Sequence, residues 1–316
     1  MMHRNTMSAL ILASAVTAAL SAGPANAQST RTWVSGNGSD GDPCSRFLPC
    51  KTFAGALLKT SINGEISCAD GGGYGPVTIN KSVTIDCTGT YASILAGGAV
   101  GTTGVTVNIA SSADDPHRSV RIRGLSINGT GPVGTAGTRT GIDGIRVVQA
   151  SSVLVEDVVI GEFTQQGVEV AASASVNLTL DNVLIRNTNV SGVTLATSGG
   201  QVVASFNNVR VDGTPLGVSA AGLTRANLRN VMLAHNGIGL RTSNTDNIVN
   251  VDNMKVSFST TGVQSSAGST IRIANSTITQ NVTGLSASGG SIVSMADNSL
   301  TGNTTDGTFT NTVPKL

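Results

Sequence analysis

Charge is scarce in this sequence: only 12% of the 316 residues are charged, and the formal net charge is +1. A balance so close to neutral offers no electrostatic reason for nucleic acid or an anionic membrane surface to bind, so no nucleic-acid partner is expected. Aromatic residues are scarcer still, at 3%. Trp33, Tyr74 and Tyr91 all fall in the N-terminal part, which weighs against a long groove lined with aromatic platforms for sugar rings. There are 3 histidines, His3, His117 and His235, and no C-x-x-C pair, so no zinc ligand set is expected. What the chain does hold is an ordinary apolar content of 39%, together with 39 glycines.

The first residues, MMHRNTMSALILASAVTAALSAGPANAQST, have the form of a secretory signal peptide. His3 and Arg4 make a basic start, Ala9 to Leu20 an apolar stretch too short to span hydrocarbon, and Ala25-Asn26-Ala27 an A-x-A cleavage pattern. Residues 1–27 are therefore expected to be removed, leaving a mature chain from Gln28 with no membrane span, secreted or periplasmic. No cysteine follows the cleavage site to carry a lipid.

Export into an oxidising compartment makes the 4 cysteines readable as disulfides. Three pairings are possible. Cys44–Cys50 would close a tight loop, and Cys68–Cys87 has a geometric argument. Ile66-Ser67-Cys68 and Ile85-Asp86-Cys87 share one strand parity, so stacking on neighbouring strands would bring the cysteine Cα atoms to about 4.8 Å. These two bridges are the expected pairing.

Two short elements recur along the chain with one period of about 22 to 25 residues. The first is Gly followed by an apolar residue, at Gly144, Gly167, Gly192, Gly217, Gly239, Gly262 and Gly284. The second is an Asn or Asp before an apolar or small residue, at Asp157, Asn182, Asn208, Asn230, Asn253, Asn275 and Asn298. Around each Asn the apolar residues alternate with period two, as in Val249, Val251, Met254 and Val256, and no segment of the repeat has a helical period. The L-x-x-L-x-L signature of leucine-rich repeats is absent, and a sandwich would not keep the spacing so constant. Short strands at this repeat length predict an all-β parallel β-helix of roughly ten coils. In it the Asn side chains (Asn182, Asn208, Asn230, Asn253, Asn275, Asn298) are expected to point inward as a bonded ladder, and the glycines to permit a backbone bend. The expected organisation is a disulfide-bonded N-terminal cap over 28–64 and stacked coils over 65–316, in one domain. Lys51 to Thr60 is expected to form a short capping helix with Phe53, Leu57 and Leu58 facing in.

With strand, GSD, PCKTF helix, GYG and first coil in that order, the N-terminal segment resembles the opening of right-handed parallel β-helix proteins of the pectin-lyase-like superfamily. The resemblance implies the fold over nearly the whole mature chain. It implies no single chemistry, since that superfamily includes lyases, hydrolases, epimerases, esterases and proteins without known activity. Asn244-Thr245-Asp246 matches the N-T-D of its polygalacturonases, but the D-D, G-H-G and R-I-K that should follow in order do not. The pectate-lyase R-x-P-x-x-R is absent as well. One Asp70–Gly75 segment resembling a Ca²⁺-binding nonapeptide, without tandem copies, reads as a turn, so no cofactor is expected.

Irregularity points elsewhere. The excursions at 111–119 and 127–144 flank a single coil, Ser119 to Ile127, and charge gathers there. Alternation turns Arg121 and Arg123 outward, with Glu156 and then Asp181 in register with Arg123, and with Arg146 and Glu169 as a second column. Asp114, Asp115, His117, Arg139 and Asp143 lie on the excursions. Together these residues make a candidate face for binding an acidic sugar or for acid/base work, the plainer alternative being a solvated set of salt bridges. The outward column Thr194, Ser219, Gln264 and Ser286, interrupted by Arg241, is neutral and polar. The expected function is a non-catalytic scaffold for binding or surface interaction, with a polysaccharide or an envelope surface as partner. The alternative is a lyase or hydrolase acting near residues 111–146. No sequence feature sets an oligomeric state.

Overall fold

A computed structural model describes residues 28–97, 101–130 and 139–314. The expected signal peptide and part of the 127–144 excursion lie outside the described residues. The chain winds as a parallel β-solenoid of about nine turns, one fewer than expected, with 57% strand and 3% helix. Among the described residues the strands form a nine-stranded and a seventeen-stranded sheet, and each named strand-to-strand pairing is parallel.

The period-two pattern has a direct structural cause. Along the axis Val153, Leu178, Ala204, Ala226, Val249, Ile271 and Ile292 stack in register, one per turn, all buried. Each valine, leucine or isoleucine withdrawn in this way stabilises the fold by about 1.5–3 kcal/mol, and each alanine by less. Val176–Arg186, Val202–Asp212, Thr224–Ala234 and Ile248–Ser257 each bend once within the strand, so one hydrogen-bonded sheet covers two sides of the solenoid. No helix among the described residues is long and apolar enough to cross a membrane.

The bend is where the Asn repeat sits, but its side chains point outward. Asn182, Asn208, Asn230 and Asn253 have φ of 54°, 53°, 54° and 56°, the left-handed region that Asn tolerates. They are exposed, as is Asn275. Their amides still bond between turns: Asn182 donates to Asp157 Oδ1 at 2.7 Å, Asn208 to Asn182 at 2.9 Å and Asn253 to Asn230 at 2.8 Å. Asn230 and Asn275 reach diagonally to Asn207 and Asp252. Asn298 leaves the row. It stands opposite Ser276, accepts that residue's N–H at 2.9 Å and donates to Ile273 O at 2.7 Å. The inward amide ladder exists at another corner, at Asn236, Asn281 and Asn303. Asn281 Oδ1 accepts the Ser259 N–H (3.0 Å) and its amide donates to Val256 O (3.2 Å), wholly inside. Asn281→Ala should therefore lower stability by about 2 kcal/mol, because it orphans a buried N–H. Asn208→Gly, which keeps the left-handed backbone, should change it by less than about 0.5 kcal/mol. Equal effects in urea melts would contradict this assignment.

The glycine row also has a different cause from the one expected. None of its seven members has a positive φ. They are required because successive turns touch there: a Cβ on Gly192 would lie 2.7 Å from Gly217 O and 2.2 Å from a Val211 methyl. One on Gly217 would lie 2.4 Å from Gly239 O.

At the N-terminal end, Cys44–Cys50 and Cys68–Cys87 are both bonded, with Cα separations of 4.6 and 4.8 Å. Helix α1, Phe53–Lys59, starts from the Thr52 cap, whose hydroxyl accepts the Gly55 N–H. Phe53 and Leu57 are buried, but Leu58 is 75% exposed, contrary to expectation. In so short a helix Leu58 falls on the side turned from the core. The Asp70–Gly75 segment is not a turn throughout: Gly72–Gly73 is a short strand paired with Ala92 and Ser93, and the bend before it is held by the Asp70 carboxylate, which accepts from Ser35 Oγ, Gly36 N and Tyr74 Oη.

Candidate functional site

The charged residues expected to share one face are divided between two sheets with the hydrophobic core between them. Arg121 and Arg123 stand on Ser119–Arg123 in the larger sheet, and Glu156 lies in register with Arg123, followed by Asp181. Arg146 and Glu169 stand in register on the outside of the nine-stranded sheet. Strand alternation was right for each column. What failed was the assumption that columns on different strands of a turn face the same way.

The first column is closed on itself. Arg121 Nε bonds Glu156 at 2.6 Å, and Arg123 reaches Asp86 at 3.2 Å and Glu156 at 3.5 Å. Half-exposed pairs of this kind add about 0–1 kcal/mol each, and Arg123 Nε, 3.5 Å from Glu156, has no hydrogen-bond partner.

Two excursion residues are structural. Asp115 is buried and accepts the Ser82 N–H and hydroxyl, each at 2.6 Å, and the Arg118 N–H at 3.1 Å. Burial alone would raise its pKa, but the Ser82 hydroxyl, the backbone donors and His117 outweigh that and hold it below the ordinary value. Asp114 and His117 are exposed beside it. Arg139 is also buried. It pairs with Glu162 at 2.8 Å and donates to Asn187 O and Asn189 Oδ1, which fastens the end of the excursion to two later turns.

The remaining group is different. Asp143 precedes the first glycine of the row, on the nine-stranded side, and is completely buried. Its Oδ1 accepts the Gln166 N–H at 3.1 Å, while Oδ2 has no hydrogen-bond donor and Arg146 Nη1 stands 4.0 Å away. Gln166 Oε1 is likewise buried without a donor, and Glu169 Oε2 lies 3.0 Å from Arg146 Nε outside hydrogen-bond geometry. Burial first, and the nearby Glu169 second, push the Asp143 pKa up to about 6, against the Gln166 N–H and Arg146, which lower it. A carboxyl tuned to that range can give up or take a proton near neutral pH, so Asp143 is the candidate for acid/base work among the described residues. Gln166 was not expected here. The only signal for it was its place in the glycine register, one turn after Asp143. No group of three or more potential metal ligands occurs among the described residues.

Beyond Glu169 the same outward column continues in register as Thr194, Ser219, Arg241, Gln264 and Ser286. Its hydroxyl, amide and guanidinium groups are spaced by the strand separation of about 4.8 Å, and all are partly exposed except Ser219, which is buried.

No protein-family model matches the sequence, and no curated protein matches it. Among solved structures the chain is similar to the enzymatically active domain of bacteriophage CBA120 tailspike protein 2, with TM-score 0.51 and 13% identity over 76% of this chain. It spans 39% of that tailspike chain. Weaker likenesses are a GH136 lacto-N-biosidase from Eubacterium ramulus (TM-score 0.36, 8% identity, 90% of this chain and 67% of that one) and a GH87 α-1,3-glucanase from Streptomyces thermodiastaticus (TM-score 0.31, 13% identity, 83% and 66%). At these identities the tailspike likeness establishes the fold, a parallel β-solenoid, and no more.

Proposed function

We propose that this chain is an exported protein of the pectin-lyase-like superfamily, secreted or periplasmic, whose single solenoid domain (28–316) binds a polysaccharide without cleaving it. Two disulfides fit an oxidising compartment. The observation that carries the binding reading is the outward row Thr194, Arg241, Gln264 and Ser286, because polar hydrogen-bonding groups repeated along one sheet, with a single guanidinium among them, suit a linear polyhydroxylated ligand lying along the axis. At the other column the ion pairs of Arg121 and Arg123 with Glu156 and Asp86 already offset the positive charge that an acidic sugar would engage. The mature chain should be retarded in affinity gels containing a neutral glycan such as dextran, and Gln264→Ala with Ser286→Ala should weaken binding about tenfold, or 1.4 kcal/mol. Retardation by no glycan would sink this reading. A second reading, cleavage with Asp143 as the acid and Glu169 beside it, is favoured by the buried Asp143 carboxyl, whose Oδ2 has no hydrogen-bond donor.

A further inference from the structure

One aromatic pair sits where the fold gives no reason for it. The corner leading into the nine-stranded sheet is a left-handed position in turn after turn, occupied by Asn187, Gly213, His235, Phe258, Gln280 and Gly302. Asn and Gly accept that backbone readily, but a bulky side chain does so at a cost, which makes such a residue an outlier in need of a cause. Phe258 has φ of 54° and is 53% exposed, so burial does not supply the cause. The His235 ring lies on it nearly parallel, at 7° with centroids 5.2 Å apart, and is held by Asp212 at 3.1 Å. The two make a flat, exposed aromatic step.

Beside the step runs a shallow groove lined by Phe258, Thr260, Gln280, Val282 and Thr304, with no charged side chain among its lining residues. An apolar plate edged by hydroxyls and amides matches a sugar ring, which offers an apolar face and a rim of hydroxyls. A charged ligand would find no counter-ion there. The chain enters Thr261–Ser266, the strand that carries Gln264 of the proposed binding row, directly after Thr260 of the groove.

We propose that Phe258, backed by His235, is the stacking platform for one neutral pyranose unit of the bound polysaccharide. This rests on the glycan-binding reading above and gives it a site. The test titrates the full mature chain with maltohexaose and cellohexaose, with polygalacturonate as the charged comparison, in wild type, Phe258→Asn and Phe258→Trp. For whichever neutral oligomer wild type binds, Asn should raise Kd about tenfold or more while Trp retains affinity. Because Asn suits the left-handed backbone, its Tm should not fall and should rise by about 2 °C. Equal affinity of Phe258→Asn and wild type, or failure of Trp to retain binding, would overturn the platform and leave the glycan-binding reading standing. Wild type that binds polygalacturonate alone would overturn the neutral-sugar assignment. Wild type that binds none of the three would overturn both.

Discussion

Gly192→Ala is expected to lower the unfolding free energy by about 3 kcal/mol or more and to reduce soluble yield. The added methyl would sit 2.2 Å from a Val211 methyl and 2.7 Å from the Gly217 carbonyl oxygen. Val211 is buried and the carbonyl belongs to the next turn, so neither can withdraw without moving the stack. Gly75→Ala makes the control: that glycine has φ of 72° and open space around it, so the substitution adds backbone strain alone, about 1 kcal/mol. Because a solenoid's stability is a sum over neighbouring turns, the Gly192 change should also broaden or split the denaturation profile. A loss below about 1 kcal/mol for Gly192→Ala would contradict the close-approach account.

The second large effect is on pH dependence. Asp143 has a folded pKa raised from 3.8 to about 6, so between those values the folded chain holds a proton that the unfolded chain releases. The favourable contribution is complete below the unfolded value, declines as pH rises through 6, and is gone above it. Two units correspond to about 3 kcal/mol. Other carboxyls, such as Asp40, Asp70 and Asp115, are shifted downward and act in the opposite sense, so wild type alone does not isolate the term. Subtraction does. Relative to Asp143→Asn, wild type should lose stability progressively from pH 4 to pH 7, by an amount of that order. Parallel stability curves for the two proteins would show that the Asp143 carboxyl is not perturbed by its burial.

Most of the architecture was legible because it depends on spacing alone. The glycine and Asn rows, the strand parity that pairs Cys68 with Cys87, and the columns Arg123–Glu156 and Arg146–Glu169 all follow from a solenoid period and an alternation of two. What spacing does not carry is the direction of each strand's outer surface around the turn. For that reason Arg121 and Arg146 were expected together and lie on different sheets. Nor does spacing distinguish an Asn chosen for its backbone, such as Asn208, from one chosen for its inward amide, such as Asn281, since both repeat with the same period. Asn298 followed the period but not the register, because the last turns are one residue out of step with the earlier ones. Asp143 was named from its charge and its excursion. Its burial and its unpaired oxygen depend on how Gln166, Arg146 and Glu169 close over it, which no local pattern records. The Phe258 step stayed hidden because an exposed aromatic after a strand is unremarkable until its φ is known.

The central claim, binding without cleavage, is tested most directly by incubating the mature chain with a panel of neutral and acidic polysaccharides. Bound fraction, reducing ends and ultraviolet absorbance of unsaturated products are followed in the same samples. The account predicts a glycan that is bound and recovered intact, with the Asp143→Asn protein binding it as wild type does. Release of products that Asp143→Asn abolishes would contradict it and make the solenoid an enzyme working at the buried carboxyl.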